Sequence, residues 1–287
     1  MKIAAAPISW GVCEVPGWGA QLPPERVLAE AARLGFTAVE AGPEGFLPAD
    51  PLAARRLLAA HELRLVGGFV AAVLHVEQRR AQELDAVEQR ATWLAAAGGE
   101  VLVLAAASGR GDFEQGTELD ERGWSTLATS LAQAGELATR HGLTLAVHPH
   151  VGAAIERREH VERFLERSAL GLCLDTGHLV VGGADPVALA REATARIAHV
   201  HLKDVDAALA EAVRAGRLGY AAAVRRGLYR PLGEGDARID EVLASLEAHG
   251  YEGWSVLEQD VALADEREDP APSIERSLAF VTAHAGL

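Results

Sequence analysis

Cysteine is nearly absent from this sequence. Cys13 and Cys173 are its two, far apart and in no C-x-x-C pattern. That excludes a disulfide framework and a zinc ribbon and suits a reducing cytoplasm. No stretch approaches the roughly 18 apolar residues a membrane span needs, and the run between Lys2 and Pro7 is too short for a signal-peptide core. Positive charge is scarce. The 27 Lys and Arg face 41 Asp and Glu, a net charge of −14, and such a surface repels phosphate backbones, so nucleic acid is not the expected partner. Dinucleotide and Walker motifs are missing too. The glycines of Ile8–Gly19 and of Ser108–Gly116 have the wrong spacing, and the Arg110-Gly111-Asp112 triplet reads as chance. No low-complexity segment argues for disorder, and 49% hydrophobic residues suffice for a large core. The expectation is a soluble cytoplasmic chain with no membrane or nucleic-acid partner; assembly into a homo-oligomer is left open.

What is there is a rhythm. Short apolar runs at Ile3–Ser9, Thr37–Ala41, Leu63–Val70, Glu100–Ala106, Leu143–Val147, Leu170–Asp175, Ile197–Lys203 and Trp254–Glu258 alternate with helical patterns. Those patterns begin at prolines such as Pro23-Pro24 and stop at glycines such as Gly35, Gly142 and Gly250. Eight strands alternating with eight helices predict a single-domain (β/α)8 TIM barrel over residues 1–287. One segment breaks the rhythm. Residues 204–235 form a long insert after strand seven, Ala-rich and helical from Ala207 to Val224, either a lid or a solvated surface helix.

In such a barrel the C-terminal strand ends build the active site. They carry Ser9-Trp10, then Glu40, His75, His148 and His150 of "VHPH", and Asp175 and His178 of "LDTGH". His199, His201, Lys203 and Asp204 of "HVHLKD" follow, then Glu258 and Asp260 of "LEQD". Side chains alternate along a strand, so His148 and His150 share a face, as do His199, His201 and Lys203. Each residue alone has an ordinary reading: a hydrogen-bonded loop histidine, an Asp capping a turn, a solvated carboxylate. Together, strands five to eight converge a His, an Asp, a His and a Glu on one point, and buried ionisable groups are costly unless paired or metal-bound. Mixed N/O donors without a thiolate suit Mn²⁺ or Co²⁺ better than a structural zinc. His199, one pleat deeper, reads as a supporting or core residue. Trp10 and Glu40 either line the pocket or satisfy a loop.

These residues resemble the xylose isomerase-like barrels of sugar isomerases, epimerases and endonucleases, through "LDTGH", "HVHLKD" and the strand-eight glutamate. "APISW", "VEAGPEGF", "RPLGEGD" and "GYEGWSVLEQD" extend the likeness nearly end to end, and within the family the chain looks most like the myo-inosose-2 dehydratase branch. The resemblance implies a metal set of His148, Asp175, His201 and Glu258, with His148 where most relatives have Glu. It implies His150 as the proton-abstracting base, Lys203 against the substrate, and His178, Lys203 or a metal-bound water as the acid. Trp10, Glu40, His75 and Arg230 are expected around the substrate. The implied reaction is metal-dependent dehydration of a keto-inositol or similar cyclic keto-sugar, through an enediolate. The alternatives are a ketose epimerase or isomerase, which shares that step, an abasic-site endonuclease, which the net charge disfavours, and a non-catalytic sugar-binding protein.

Overall fold

Why the strands read as continuous apolar runs is visible in β5 of the computed structural model, which describes residues 1–110 and 113–284. Gly111 and Asp112 of the Arg-Gly-Asp triplet lie outside the described residues. In β5 (Val101–Ala106), Val101 and Val103 pack inward with Ala146 and Cys173, while Leu102 and Leu104 join the outer shell that includes Leu94 and Leu127 of the helices. Both faces are buried, so neither tolerates polar residues.

The other strands are β1 (Lys2–Ala5), β2 (Ala38–Val39), β3 (Arg64–Leu65), β4 (Gly67–Ala72), β6 (Thr144–Val147), β7 (Gly171–Asp175), β8 (Ile197–Leu202), the short β9 (Asp204–Val205) and β10 (Tyr229–Arg230), and β11 (Trp254–Leu257). Nine of them form one parallel sheet in the order β3-β2-β1-β11-β8-β7-β6-β5-β4. The two ends, β3 and β4, are consecutive halves of the expected third strand, parted only at Val66, whose carbonyl accepts from Glu100 and Val101. The barrel closes there. Gly67 permits the approach, since a Cβ on it would lie 2.2 Å from the Val101 carbonyl oxygen.

Around the sheet lie α1 (Pro24–Arg33), α2 (Pro51–Ala60), α3 (Arg80–Ala97), α4 (Glu121–Arg140), α5 (Arg158–Arg167), α6 (Thr176–Val181), α7 (Pro186–Glu192), α8 (Ala207–Arg214), α9 (Tyr220–Arg225), α10 (Ile239–Ala248) and α11 (Ala271–His284). Among the described residues no helix is long and apolar enough to cross a membrane.

Three expectations need correction. Strand one stops at Ala5, because Pro7 has no N–H to continue a ladder and Pro7–Trp10 turns as a 3₁₀ helix. The third strand is broken at Val66. The helix expected over Ala207–Val224 is two helices, α8 and α9, interrupted around Gly216 and Gly219 and flanked by the antiparallel pair β9–β10.

Candidate active site

The C-terminal strand ends surround an open cavity of ≈ 730 Å³ whose lining includes Glu40, His148, His150, His178, His201, Lys203, Glu258 and Asp260. Sequence "LDTGH" explains much of its geometry residue by residue. Asp175 ends β7 and caps α6. Its Oδ1 accepts from the His178 backbone N–H at 2.8 Å, leaving Oδ2 to face His148 Nε2 at 3.1 Å, Lys203 Nζ at 3.4 Å and His201 Nδ1 at 3.5 Å. Thr176 clasps the backbone of Lys203, donating to its carbonyl at 2.7 Å and accepting from its N–H at 2.8 Å. Gly177 leaves room for the lysine stem, because a Cβ there would lie 2.8–2.9 Å from Lys203 Cβ, Cγ and Cδ.

"HVHLKD" supplies the opposite wall. Glu40 Oε1 accepts from both His199 Nε2 at 2.8 Å and His201 Nε2 at 3.2 Å. A carboxylate only accepts, so both imidazoles carry a proton on Nε2. Burial works to lower the His201 pKa, but its anionic surroundings, Glu258 and Glu40 among them, hold it well above the usual histidine value. A bound cation would take the place of the proton on Nδ1. Burial works to raise the Glu40 carboxyl, but the His201 and His199 rings overturn it and hold the group well below the usual carboxylate range. Asp204 turns away and accepts from the backbone N–H groups of Val205, Gly233, Gly235 and Ala237, which ties the insert to the end of the barrel.

The donor set fits a divalent cation. Asp175, His201 and Glu258 offer atoms all within 4.8 Å of one another, and His148 joins Asp175 and His178 in an overlapping group. His201 Nδ1 and Glu258 Oε2 approach to 2.8 Å, both buried and without hydrogen-bond geometry; a cation taking the place of the Nδ1 proton would meet both atoms. Edges near 3 Å are what ligands about 2.1 Å from a common ion span. Charge agrees. Asp175, Glu258 and Asp260 crowd around one buried ammonium, Lys203. Burial alone would lower the Lys203 pKa, but Asp175, Asp260 and Glu258 outweigh it and hold it well above the usual value. Cys173 is near His148 and His201, but burial pushes its thiol up, so it stays protonated and is a poor ligand.

His150 sits beside this group, its ring 5.4 Å from that of His148 and 3.9 Å from that of His178. Its Nδ1 lies 2.7 Å from the Val151 carbonyl. A carbonyl can only accept, so Nδ1 carries the hydrogen and Nε2 is a free base. Burial, followed by the nearby His148, pushes its pKa down to about 3, so it is unprotonated at neutral pH. Phe113 packs on its ring at 4.4 Å and Phe69 at 5.9 Å.

Three expected substrate contacts are not brought to the cavity. Trp10 is fully buried with its indole N–H given to Glu30 on α1 at 2.9 Å, since the 3₁₀ turn rotates it away from the barrel axis. Arg230 is held by Asp206 at 2.9 Å. His75 lies beyond the end of β4, half-buried, with Nδ1 unpartnered. Glu40 both lines the cavity and fastens the two histidines. In exchange, residues without a recognisable sequence pattern enter the lining: Trp18, Phe69, Phe113 and the insert's Tyr220.

Comparison with known proteins agrees with this architecture. The family model for xylose isomerase-like TIM barrels matches residues 28–284. An inosose dehydratase of Geobacillus kaustophilus is 32% identical over 276 residues, covering 92% of this chain and 89% of that protein. Among solved structures, the probable 3-DHS dehydratase AsbF of Bacillus anthracis superposes with a TM-score of 0.74 at 17% identity, over 98% of this chain and 99% of that one. An L-ribulose 3-epimerase superposes at 0.72 and 17%, over 100% and 95%. These last two are likenesses of fold.

Proposed function

We propose that this chain, which belongs to the xylose isomerase-like TIM barrel family and groups there with the inosose dehydratases, is a hydro-lyase removing water from a cyclic polyhydroxy ketone, 2-keto-myo-inositol being the first candidate. The observation that carries the reading is His150, a neutral imidazole with its free Nε2 beside a convergent Asp175–His201–Glu258 donor set.

Asp175, His201, Glu258 and His148 would hold Mn²⁺ or Co²⁺, N/O donors suiting either. That ion, when bound, supplies Lewis-acid polarisation of the ketone and an adjacent hydroxyl. The residues do the rest. His150 Nε2 takes the proton from the carbon next to the ketone, the Val151 carbonyl holding the ring in the required tautomer. Lys203, the cation at the cavity floor, gives a proton to the departing β-hydroxyl, so that one water leaves. Trp18, Phe69, Phe113 and Tyr220 form an apolar rim that limits bulk water around the reacting carbons. Segment 204–235 is the lid that brings Tyr220 to this rim.

The test is turnover. Protein loaded with Mn²⁺ or Co²⁺ is incubated with 2-keto-myo-inositol and the product mass followed. Loss of one water, stopped by EDTA, is the expected result. An isomeric product of unchanged mass would overturn the dehydratase reading in favour of an epimerase or isomerase.

A further inference from the structure

Tyr220 and Tyr229 come from the insert, yet both lie buried against the barrel's catalytic end. Their hydroxyls are 3.0 Å apart. Tyr220 Oη donates to Asp260 Oδ2 at 2.8 Å, and Tyr229 Oη lies 3.4 Å from His178 Nδ1. Lys203 Nζ completes the circuit, 3.3 Å from His178 Nε2 and 2.8 Å from Asp260 Oδ1.

The chemistry of each group sets the direction. An ammonium has donors only, so His178 Nε2 accepts from Lys203. The imidazole hydrogen therefore sits on Nδ1 and is given to Tyr229. With its oxygen so engaged, Tyr229 donates onward to Tyr220, and Tyr220 to Asp260, whose other oxygen pairs with Lys203. Four donors thus run in one direction from Lys203 to Asp260, an arrangement in which neighbouring bonds polarise one another, and the Lys203–Asp260 ion pair, where the ammonium again donates, closes the loop. Burial, with His150 and Lys203 next, lowers His178 well below the usual histidine value, which agrees with a neutral ring.

We infer that Tyr220 and Tyr229 are positioning residues: they carry a one-way relay of donors from His178 Nδ1–H to Asp260, which keeps that hydrogen on Nδ1 and leaves Nε2 to receive Lys203 and aim it at the cavity. His178, with both nitrogens engaged, then serves as a strut and not as the acid. It also packs, tilted, against the ring of His150, so the same circuit braces the base. The insert thereby becomes part of the catalytic apparatus. The consequence for turnover rests on the dehydratase reading; the circuit itself does not.

Two measurements test it. The first is ¹⁵N NMR of the His178 ring in protein saturated with diamagnetic Mg²⁺. The expected wild-type spectrum shows Nδ1 protonated and Nε2 bare, and Tyr229→Phe shifts the ring toward a mixture of tautomers. A wild-type ring protonated on Nε2, or one unmoved by Tyr229→Phe, overturns the inference. This arm needs no turnover, and the wild-type spectrum alone can overturn the inference if the variant fails to fold. The second is kinetic. Tyr220→Phe and Tyr229→Phe should each lower kcat about tenfold and move KM less than about twofold, the scale of one lost orienting hydrogen bond. Because the circuit acts as a unit, the double variant should lose little more than the worse single one. Multiplying losses, or a change in KM alone, would show two separate structural roles and overturn it. Wild-type protein that never dehydrates the ketone defeats the functional reading and leaves the NMR arm standing.

Discussion

Glu40 Oε1 lies 3.2 Å from His201 Nε2, on the opposite edge of the ring from Glu258, whose Oε2 is 2.8 Å from Nδ1. Glu40 thus fixes the proton on Nε2 and leaves Nδ1 as the nitrogen that a cation beside Glu258 would take. The same oxygen holds His199, so a residue from β2's end governs a histidine pair on β8.

The first prediction concerns this clamp. Glu40→Gln keeps the size of the side chain but offers an amide in place of a carboxylate acceptor for two rings. Loss of such outer support typically weakens metal binding about 10–100-fold. Competition titration with a fluorescent chelator would measure it, and an unchanged affinity would show that Glu40 does not control His201.

Gly177 makes a second. An alanine there meets the lysine stem at three carbons, while Thr176 still pins the Lys203 backbone. The stem must swing, so Gly177→Ala should lower kcat about 100-fold, as misplacement by about 1 Å does, with about 1–3 kcal/mol of overpacking cost in stability. Kinetics at a temperature well below the melting point separate the two effects; full activity would remove Lys203 from the chemistry.

Much of this was legible in the sequence, for physical reasons. A barrel strand is buried on both faces, so it appears as an uninterrupted apolar run, and the polar residue that ends it stands out. His148, Asp175, His201 and Glu258 were visible because each follows such a run. Tyr220 and Tyr229 were not, since they belong to an insert whose position over the site depends on Asp204 and the β9–β10 pair, contacts with no periodicity. Asp260 stood at a strand end but took on meaning only with Tyr220 as its partner. Trp10 misled because the chain leaves the strand direction at Pro7, and Arg230 because Asp206 claims its guanidinium.

The proposed roles of His148 as ligand and His150 as base give a third prediction. His150→Ala should abolish turnover and keep one metal ion per chain, measured by elemental analysis. Asp175→Ala should lose the ion and the activity together, since it removes a proposed ligand and the cap of α6. Metal lost from His150→Ala would sink the assignment of that residue as a base.

Cys13 lines the cavity, and its thiol is pushed up to about 12, by burial first and then by Glu14 and Asp260 against an opposing hydrogen bond from Val15. A raised thiol pKa means less thiolate, so alkylation by iodoacetamide at pH 8 should run about a thousand-fold slower than for free cysteine and rise about tenfold per pH unit up to pH 10. Rapid labelling at pH 8 would show that the thiol is not desolvated in this way.

Asp204 tests whether the insert is built or merely draped. Its two oxygens accept from the backbone N–H of Val205, Gly233, Gly235 and Ala237, and it is 1% exposed. Buried donors left without an acceptor cost about 1–3 kcal/mol each, although a loop that moves toward water recovers part of this. Asp204→Ala should therefore cost about 2–4 kcal/mol in denaturant unfolding. It should also raise hydrogen exchange at the 233–237 amides far more than at those of β5. If the insert carries the two tyrosines through this anchor, kcat falls in the same variant even where the barrel remains folded. Faster exchange confined to residues 233–237, with kcat intact, would separate the anchor from the site.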